Sequence, residues 1–339
     1  MKKTTIKDIA EKAGVSPTAV SFTLNGRPGV GQETRERILT VAHEAGWTPS
    51  PRAQALSRAR ADAIGLVITR PDDSYASEGF YFHFLIGLQS ELATANMDLV
   101  MRHASCLEEE MQLYREWSSS GRVDGVVLVE PVVGDPRFDL VKDLDLPAVV
   151  VGLDAPGLPS VITADDALIR SIVEHLVAQG ARRIGYVSGD ASFIHTVSRC
   201  AALHAYADEH PQVRVFVSEG TDFTETAGRS AASSLLEKDV DALIFDNEIL
   251  TLGGLAATNG SAHADVLLFS CQDSPLCRAT TPAISAVATS ASRLSADAGR
   301  LVLARLRGQN PASIVEPVPT LVLRDSTLHG LPRRLRADT

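Results

Sequence analysis

The sequence predicts an α/β protein in which a small all-α domain precedes a larger body with two doubly wound parallel β-sheets. Three observations lead to this prediction. Apolar residues recur at helical spacing between Ile6 and Ala45. From Ile64 onward, short runs rich in Val, Ile and Leu alternate with helical segments, which is typical of parallel sheets. The number of these runs fits two lobes better than a single sheet.

Three short helices are predicted at the N-terminus. Ile6 begins an apolar pattern of helical period, and Gly14 ends it because glycine tolerates the left-handed conformation that follows a helix. Ser16 is a favourable N-cap for a second helix, which buries Val20. A third helix is predicted from about Gln32 to Ala45. The tight turn between the first two helices gives the spacing of a helix-turn-helix.

The second helix presents a different set of residues on the arc opposite Val20. These residues are Thr18, Ser21, Phe22 and Asn25. In a helix-turn-helix this arc enters the major groove of DNA. A three-helix bundle that binds another kind of partner is the alternative.

A short segment, 50–60, follows the third helix. Pro49 and Pro51 prevent that helix from continuing, and the next residues suffice for two helical turns. So short a helix is unstable alone, but it could form on DNA, where Leu56 would act as an apolar wedge in the minor groove. A flexible linker with an incidental leucine is the alternative.

Charge is distributed unevenly between the head and the body. The first 60 residues contain ten Lys/Arg and five Asp/Glu, whereas the remaining residues contain 22 and 37, within a chain of net charge −10. A basic head on an acidic body predicts that only the head meets nucleic acid. An ordinary solvated surface explains the charges alone equally well.

Residues 4–60 closely resemble the head of the LacI/GalR family. The matching features are TIKDIAEKAGVS, the AVS of the second helix, LNG, TRERI, the W-T-P entry to the hinge and A-Q-A-L. The resemblance implies a lambda-repressor-like helix-turn-helix over residues 1–49 and a hinge helix over residues 50–60. Many members carry arginine where this chain has Phe22, which can make only apolar contact, for instance with a thymine methyl.

The resemblance also assigns a set of DNA-binding residues. Leu56 is implied as the intercalating leucine, with Ala53 and Gln54 in the same hinge helix. The base-reading positions are Pro17, Thr18 and Phe22, those near phosphates are Ser21, Asn25 and Thr34, and the set is completed by Thr5 and Ser16.

Residues 61–330 resemble the sensor domain of the same family, which is similar to a type I periplasmic binding protein. The resemblance implies effector binding and dimerisation by two lobes, about 62–160 with 289–318 and about 161–288 with 319–330, followed by a tail at 331–339. Runs such as MDLVM, VDGVVLV, VRVFVS and ALIFD predict strands buried on both faces. A ligand would lie in the cleft near the carboxyl ends of the strands.

Seven effector-binding residues are carried over from the resemblance, namely Phe80, Tyr81, Asp165, Arg199, Phe223, Asn247 and Gln272. Aromatic faces would stack on a sugar or base ring, while arginine and asparagine would bind its polar edge. Core packing is the alternative for each aromatic residue taken alone.

Gln272 stands where members of the family usually carry an aspartate. Arg199 would then lack an anionic partner, and an effector such as a sugar acid or a phosphorylated metabolite could supply the negative charge. The alternative is that Asp273, Asp165 or Glu248 supplies the carboxylate and that the effector is a neutral sugar.

The predicted function is transcriptional regulation, most simply repression, with operator binding controlled by a small molecule. No catalytic motif is present, so an enzyme is not expected, and a periplasmic solute-binding protein would not carry the head. A regulator with a degenerate pocket controlled by a partner protein, a corepressor-dependent member and an activator are the alternatives. A homodimer that binds two half-sites of double-stranded DNA is expected.

The same analysis predicts a cytoplasmic protein, associated with the nucleoid when bound to its operator. No apolar stretch reaches the length of a membrane helix, and the N-terminus lacks the apolar core of a signal peptide. The four cysteines are scattered without metal-ligand spacing, which favours free thiols. Neither a cofactor nor a metal site is expected.

Overall fold

The computed structural model describes residues 4–24, 28–47, 60–69 and 79–328. The chain forms two compact units, Met1–Ala61 and Asp62–Thr339. No helix among these residues is long and apolar enough to cross a membrane. All four cysteines are free.

The N-terminal unit contains the three predicted helices, α1 (Ile6–Ala13), α2 (Pro17–Leu24) and α3 (Gln32–Glu44). Gly14 ends α1 in the left-handed conformation, with φ of 65°. The backbone N–H of Ala19 donates to Ser16 Oγ at 3.2 Å, so Ser16 caps α2 as predicted. Ile9, Val20 and Ile38, one from each helix, are fully buried and form the centre of this unit.

Two six-stranded sheets form the body, and their strand order is β11-β5-β4-β3-β1-β2 in lobe 1 and β12-β10-β9-β8-β6-β7 in lobe 2. The strands of lobe 1 are β1 (Ala63–Thr69), β2 (Asp98–Ala104), β3 (Gly125–Leu128), β4 (Ala148–Gly152), β5 (Ser160–Ile162) and β11 (Ile314–Val315). Those of lobe 2 are β6 (Arg183–Val187), β7 (Arg214–Val217), β8 (Ala242–Phe245), β9 (Leu267–Ser270), β10 (Ser285–Ala288) and β12 (Thr320–Val322).

Ten helices accompany these strands in residues 60–69 and 79–328. They are α4 (Gly79–Ala93), α5 (Leu107–Ser120), α6 (Arg137–Asp143), α7 (Asp165–Ala178), α8 (Ile194–Glu209), α9 (Glu225–Leu236), α10 (Glu248–Thr258), α11 (Pro275–Ala279), α12 (Ala291–Leu306) and α13 (Asp325–Leu328). Helix α4 packs against α12 in lobe 1, whereas α7 packs against α8 and α9 against α10 in lobe 2. The predicted architecture of a helical head and two parallel-sheet lobes is confirmed.

Two details of the sequence-based prediction are wrong. Strands β2 and β7 are not buried on both faces, because each lies at the edge of its sheet and is partly exposed. Strand β12 runs antiparallel to β10, so the second sheet is not wholly parallel. Strand β5, the last strand of lobe 1 before the first crossover, pairs with β4 as far as Ile162.

Within the described part of the body, the chain crosses between the two lobes three times, after β5, after β10 and between β11 and β12. A second link lies farther out in the cleft, where Val132 and Phe193 form an antiparallel bridge. There the Val133 N–H donates to the carbonyl of Ser192 at 3.0 Å, and the Ile194 N–H donates to that of Pro131 at 2.9 Å. The lobes are therefore joined by these hydrogen bonds as well as by the crossovers.

Candidate functional site

A cavity of about 310 Å³ lies between the two lobes, next to the three crossovers. Its walls include all seven residues predicted to bind an effector, namely Phe80, Tyr81, Asp165, Arg199, Phe223, Asn247 and Gln272. The structure thus brings together side chains that are spread over almost 200 positions of the sequence. That they bind a ligand stays a prediction.

Arg199, on α8, joins two carboxylates from different elements. Its Nε donates to Asp165 Oδ1 at 2.7 Å, and its Nη1 donates both to the side chain of Asp246 and to its backbone carbonyl, the latter at 3.2 Å. Asp165 is the first residue of α7, and Asp246 directly follows β8. Arg199 therefore ties the start of one helix to the end of a central strand.

Asp246 is the centre of this hydrogen-bond network, although its role was not foreseen. It accepts from Tyr186 Oη at 2.8 Å, from the Gly189 N–H at 3.0 Å and from Thr196 Oγ1 at 2.9 Å. Burial alone would raise the pKa of Asp246, but Arg199 and His195 outweigh it and lower that pKa to about 2. The carboxylate is thus charged at neutral pH. Its place directly after a parallel strand was the signal that could have identified it.

The premise that Arg199 lacks an anionic partner is wrong. Asp165 and Asp246 both contact it, so this cluster of one cation and two anions has a net negative charge. Asp273 is not the missing partner, because it accepts from Arg324 Nη2 at 2.8 Å and does not line the cavity. Gln272 does line the cavity, and its contact with a ligand stays a prediction.

The charged residues of the cavity lining as a whole also have a net negative charge. Among the described residues, the lining contains four carboxylates and two guanidinium groups, those of Glu130, Asp165, Asp246, Glu316, Arg199 and Arg293. His195 adds no positive charge, because burial lowers its pKa despite the nearby Asp246. The cavity therefore disfavours an anionic ligand.

Aromatic rings form one side of the cavity. Phe223 is buried and lies 6.2 Å from Phe193 and 6.3 Å from His195 between ring centroids. Gly189 makes this arrangement possible, since a Cβ there would come within 2.2 Å of the Phe223 ring and 2.4 Å of Asp246 Oδ2. His195 and Gly189 are further site residues that sequence reasoning missed, and no local motif marked either one.

Two predicted residues also have structural roles. Asn247 is the N-cap of α10, and its Oδ1 accepts from the Leu250 N–H at 2.9 Å. On the opposite wall, Phe80 packs against Tyr81 and Phe84, with ring centroids 5.7 and 5.9 Å away. Core packing, the alternative for the aromatic residues, therefore accounts for part of their contacts.

The predicted DNA-binding residues of the head lie mostly at its surface. Thr5, Ser16, Pro17 and Thr18 are exposed, while Ser21, Phe22 and Thr34 are partly buried. The side chains of Thr5 and Ser16 cap α1 and α2. Asn25, Ala53, Gln54 and Leu56 lie outside the described residues. Contact with DNA by any member of this set stays a prediction.

Comparison with known proteins matches both parts of the chain. Residues 5–50 match the family described as bacterial regulatory proteins, lacI family, and residues 173–327 match the periplasmic binding protein-like domain. The regulator AglR of Rhizobium meliloti is 29% identical over 280 residues, which cover 77% of this chain and 78% of AglR. The regulator CelR of Thermobifida fusca is 26% identical over 340 residues, which cover 96% and 98% of the two chains.

Solved structures show the same similarity. A LacI family transcriptional regulator from Bifidobacterium animalis superposes with a TM-score of 0.71 at 27% identity, covering 79% of this chain and 98% of that one. The lac repressor dimer bound to operator and the anti-inducer ONPF shares the fold, with a TM-score of 0.82 at 22% identity over 96% of this chain and 100% of the repressor. The helical head, the two-lobed body and these matches agree, and the chain belongs to the LacI family of bacterial DNA-binding transcriptional regulators.

Proposed function

We propose that this protein is a repressor whose operator binding is controlled by a neutral carbohydrate bound between the lobes. The observation that supports this most directly is the Arg199 cluster, in which a guanidinium already has two carboxylate partners on the wall of a cavity. Among the described residues, Arg199 Nη2 has no hydrogen-bond partner, so it can donate to a ligand oxygen. A polyhydroxyl ligand both donates and accepts, as this wall requires.

The relatives support the same class of effector. One solved structure with the same fold is a complex of CelR with cellobiose, with a TM-score of 0.70 and 23% identity. The aromatic side of the cavity and its few polar groups match the general composition of small-molecule sites. The effector acts by its different affinity for two arrangements of the lobes, and only that difference can shift DNA binding.

The function is tested by selecting DNA fragments with the purified full-length protein and then titrating neutral sugars into the complex. Fluorescence anisotropy should show release of the selected operator by one class of neutral sugar. Matched acidic or phosphorylated derivatives should bind more weakly, because the cavity is already net negative. Release only by the anionic member of each pair, or by no sugar at all, would contradict the proposal.

A homodimer completes this proposal, because one helix-turn-helix buries little surface on DNA. Phe82 and Ile86, one turn apart on α4, are 64% and 48% exposed, and Met101 on the edge strand β2 is 45% exposed. All three are exposed apolar side chains of lobe 1, and helix α4 contacts strand β2. Apolar surfaces mark interaction sites when they are contiguous.

The double variant Phe82→Asp with Ile86→Asp should therefore be monomeric and should bind operator at least about a hundredfold more weakly, because burying a charge at a dimer interface is costly. Light scattering and anisotropy measure the two effects. Val315→Asp is the matched control, since Val315 is 69% exposed on β11 at the opposite edge of the same sheet. A dimeric double variant would place the interface elsewhere.

Binding to DNA should involve both grooves, with α2 in the major groove and Leu56 in the minor groove. Leu56→Ala should weaken operator binding by about 1–3 kcal/mol, comparable with the loss of one base-pair contact, and should change binding to random DNA far less. The reason is that a wedge acts only at a base step that kinks easily. Equal losses on operator and random DNA would show that residues 50–60 are only a linker.

A further inference from the structure

A second cavity, of about 370 Å³, adjoins the first within the cleft of the body. We call it the outer cavity, and the cavity beside Arg199 the inner cavity. Three residues contribute to the walls of both, namely Val129, Glu130 and Phe223. Residues of both lobes line the outer cavity, including Cys106, Glu110, Asp190 and Asp222. The two cavities are therefore neighbours along one interlobe cleft.

The boundary between the cavities has an uncommon backbone conformation. Glu130, from lobe 1, has φ of 49°, and Phe223, from lobe 2, has φ of 64°. The left-handed region is costly for residues other than glycine, and such strain gathers at ligand clamps and switch regions. Two of the three shared wall residues are thus held in strained conformations, one from each lobe.

Aromatic rings continue from one cavity into the next. His195 lines the inner cavity, Phe193 lines the outer cavity, and Phe223 lines both. The rings of Phe193 and His195 stack with centroids 5.6 Å apart and an interplanar angle of 12°. Both cavities can therefore present an apolar face to a ring.

The polar wall of the outer cavity accepts hydrogen bonds. Arg137 lines it, but its five N–H donors already serve Asp135, Glu110 and the carbonyls of Val129 and Glu130. Glu110 is the fully buried ion-pair partner of Arg137, whereas Asp190 and Asp222 on this wall are exposed carboxylates. A ligand group in the outer cavity must therefore bring donors such as hydroxyls and no negative charge.

We propose that the effector is a neutral oligosaccharide of at least two rings. One ring lies in the inner cavity beside Arg199, and the next lies in the outer cavity beyond Phe223 and Glu130. This inference rests on the proposed carbohydrate-controlled function, and it adds the length of the effector and the position of its second ring. A monosaccharide leaves one of the two cavities without a ligand.

Cys106 is a natural reporter for the outer cavity, because it lines that cavity and is exposed. Cys271 and Cys277 are buried, and Cys200 is only partly exposed. The full-length protein is treated with iodoacetamide at saturating concentrations of neutral mono-, di- and trisaccharides, and alkylation at each cysteine is followed by mass spectrometry. We expect the bound di- or trisaccharide to slow alkylation of Cys106 about tenfold, equivalent to about 1.4 kcal/mol. A bound monosaccharide should leave that rate unchanged.

A variant provides a second measurement that does not need the thiol. Cys106→Phe places a large ring at the outer cavity and should weaken disaccharide binding, measured by calorimetry, while leaving monosaccharide binding unchanged. Glu108→Phe is the matched control, because Glu108 is exposed in the first turn of α5, two residues after Cys106, and lines neither cavity. It should change neither affinity.

Two outcomes would overturn the two-ring effector but leave the carbohydrate-controlled function standing. In the first, a monosaccharide releases operator as fully as any longer sugar. In the second, a bound disaccharide leaves alkylation of Cys106 unchanged. Failure of every sugar, or release by a cationic amino sugar alone, would overturn both the two-ring effector and the neutral-carbohydrate function.

Discussion

Arg199→Ala should abolish the response of DNA binding to the effector. The guanidinium bridges Asp165 and Asp246 on the wall of the inner cavity, so its loss removes a ligand donor and leaves two carboxylates without their cation. Losing a hydrogen bond from a charged donor to the effector costs about 1.5–3 kcal/mol of affinity, which is at least about a tenfold weaker effector complex. Operator binding without effector should remain near that of the wild type, because the head is unchanged.

The same substitution should also lower the free energy of unfolding of the body, because the carboxylates of Asp165 and Asp246 are buried and would lose their cationic partner. The double variant Arg199→Ala with Asp165→Asn separates the two effects. Removing one carboxylate should restore part of the stability, measured by thermal denaturation, without restoring effector binding. Arg199→Lys should rescue only partly, since a single ammonium cannot hold both carboxylates in the geometry of the planar fork.

Two results would contradict the assignment of Arg199 to the effector. If the folded Arg199→Ala variant binds the effector normally, the arginine is structural only. If it fails to bind operator without any ligand while remaining dimeric and folded, the effector is needed for DNA binding and the protein is not a simple repressor.

Arg137→Ala should destabilise the body by about 3–5 kcal/mol, which is the typical cost of breaking a buried ion pair. Arg137 is 2% exposed and lies 2.7 Å from Glu110 Oε1 and 2.6 Å from Asp135 Oδ2, both of which are fully buried. Glu110 also accepts from Tyr114 and Thr69. Removing the guanidinium therefore leaves two buried carboxylates uncompensated and frees the carbonyls of Val129 and Glu130.

Arg170→Ala is the matched control for this experiment. Arg170 makes two hydrogen bonds to Glu209, at 2.9 and 3.0 Å, but both side chains are largely exposed and the pair is screened by water. Chemical denaturation should show a much larger loss for Arg137→Ala than for Arg170→Ala. Equal losses would mean that the Arg137 network does not stabilise lobe 1.

Local sequence signals determined much of this architecture. Gly14 and Ser16 define the turn of the head, because a left-handed residue and an N-cap depend only on the chain close to them. Runs such as ALIFD and AVVVGL became central strands, since uninterrupted apolar side chains require burial on both faces. The seven residues named from the resemblance to a known family all line one cavity in the structure, and their contact with an effector stays a prediction.

Only the tertiary structure decided which charges meet. Arg199 is separated from Asp165 by 34 positions and from Asp246 by 47, and nothing local shows that both carboxylates reach it. For this reason the sequence left open whether Arg199 needs an anionic effector or pairs with a carboxylate such as Asp165, whereas in the structure Asp165 and Asp246 both pair with it. The edge positions of β2 and β7 could not be predicted from the sequence either, because strand order depends on pairing between distant segments. Local conformation follows from neighbouring residues, but electrostatic balance depends on distances that only the folded chain defines.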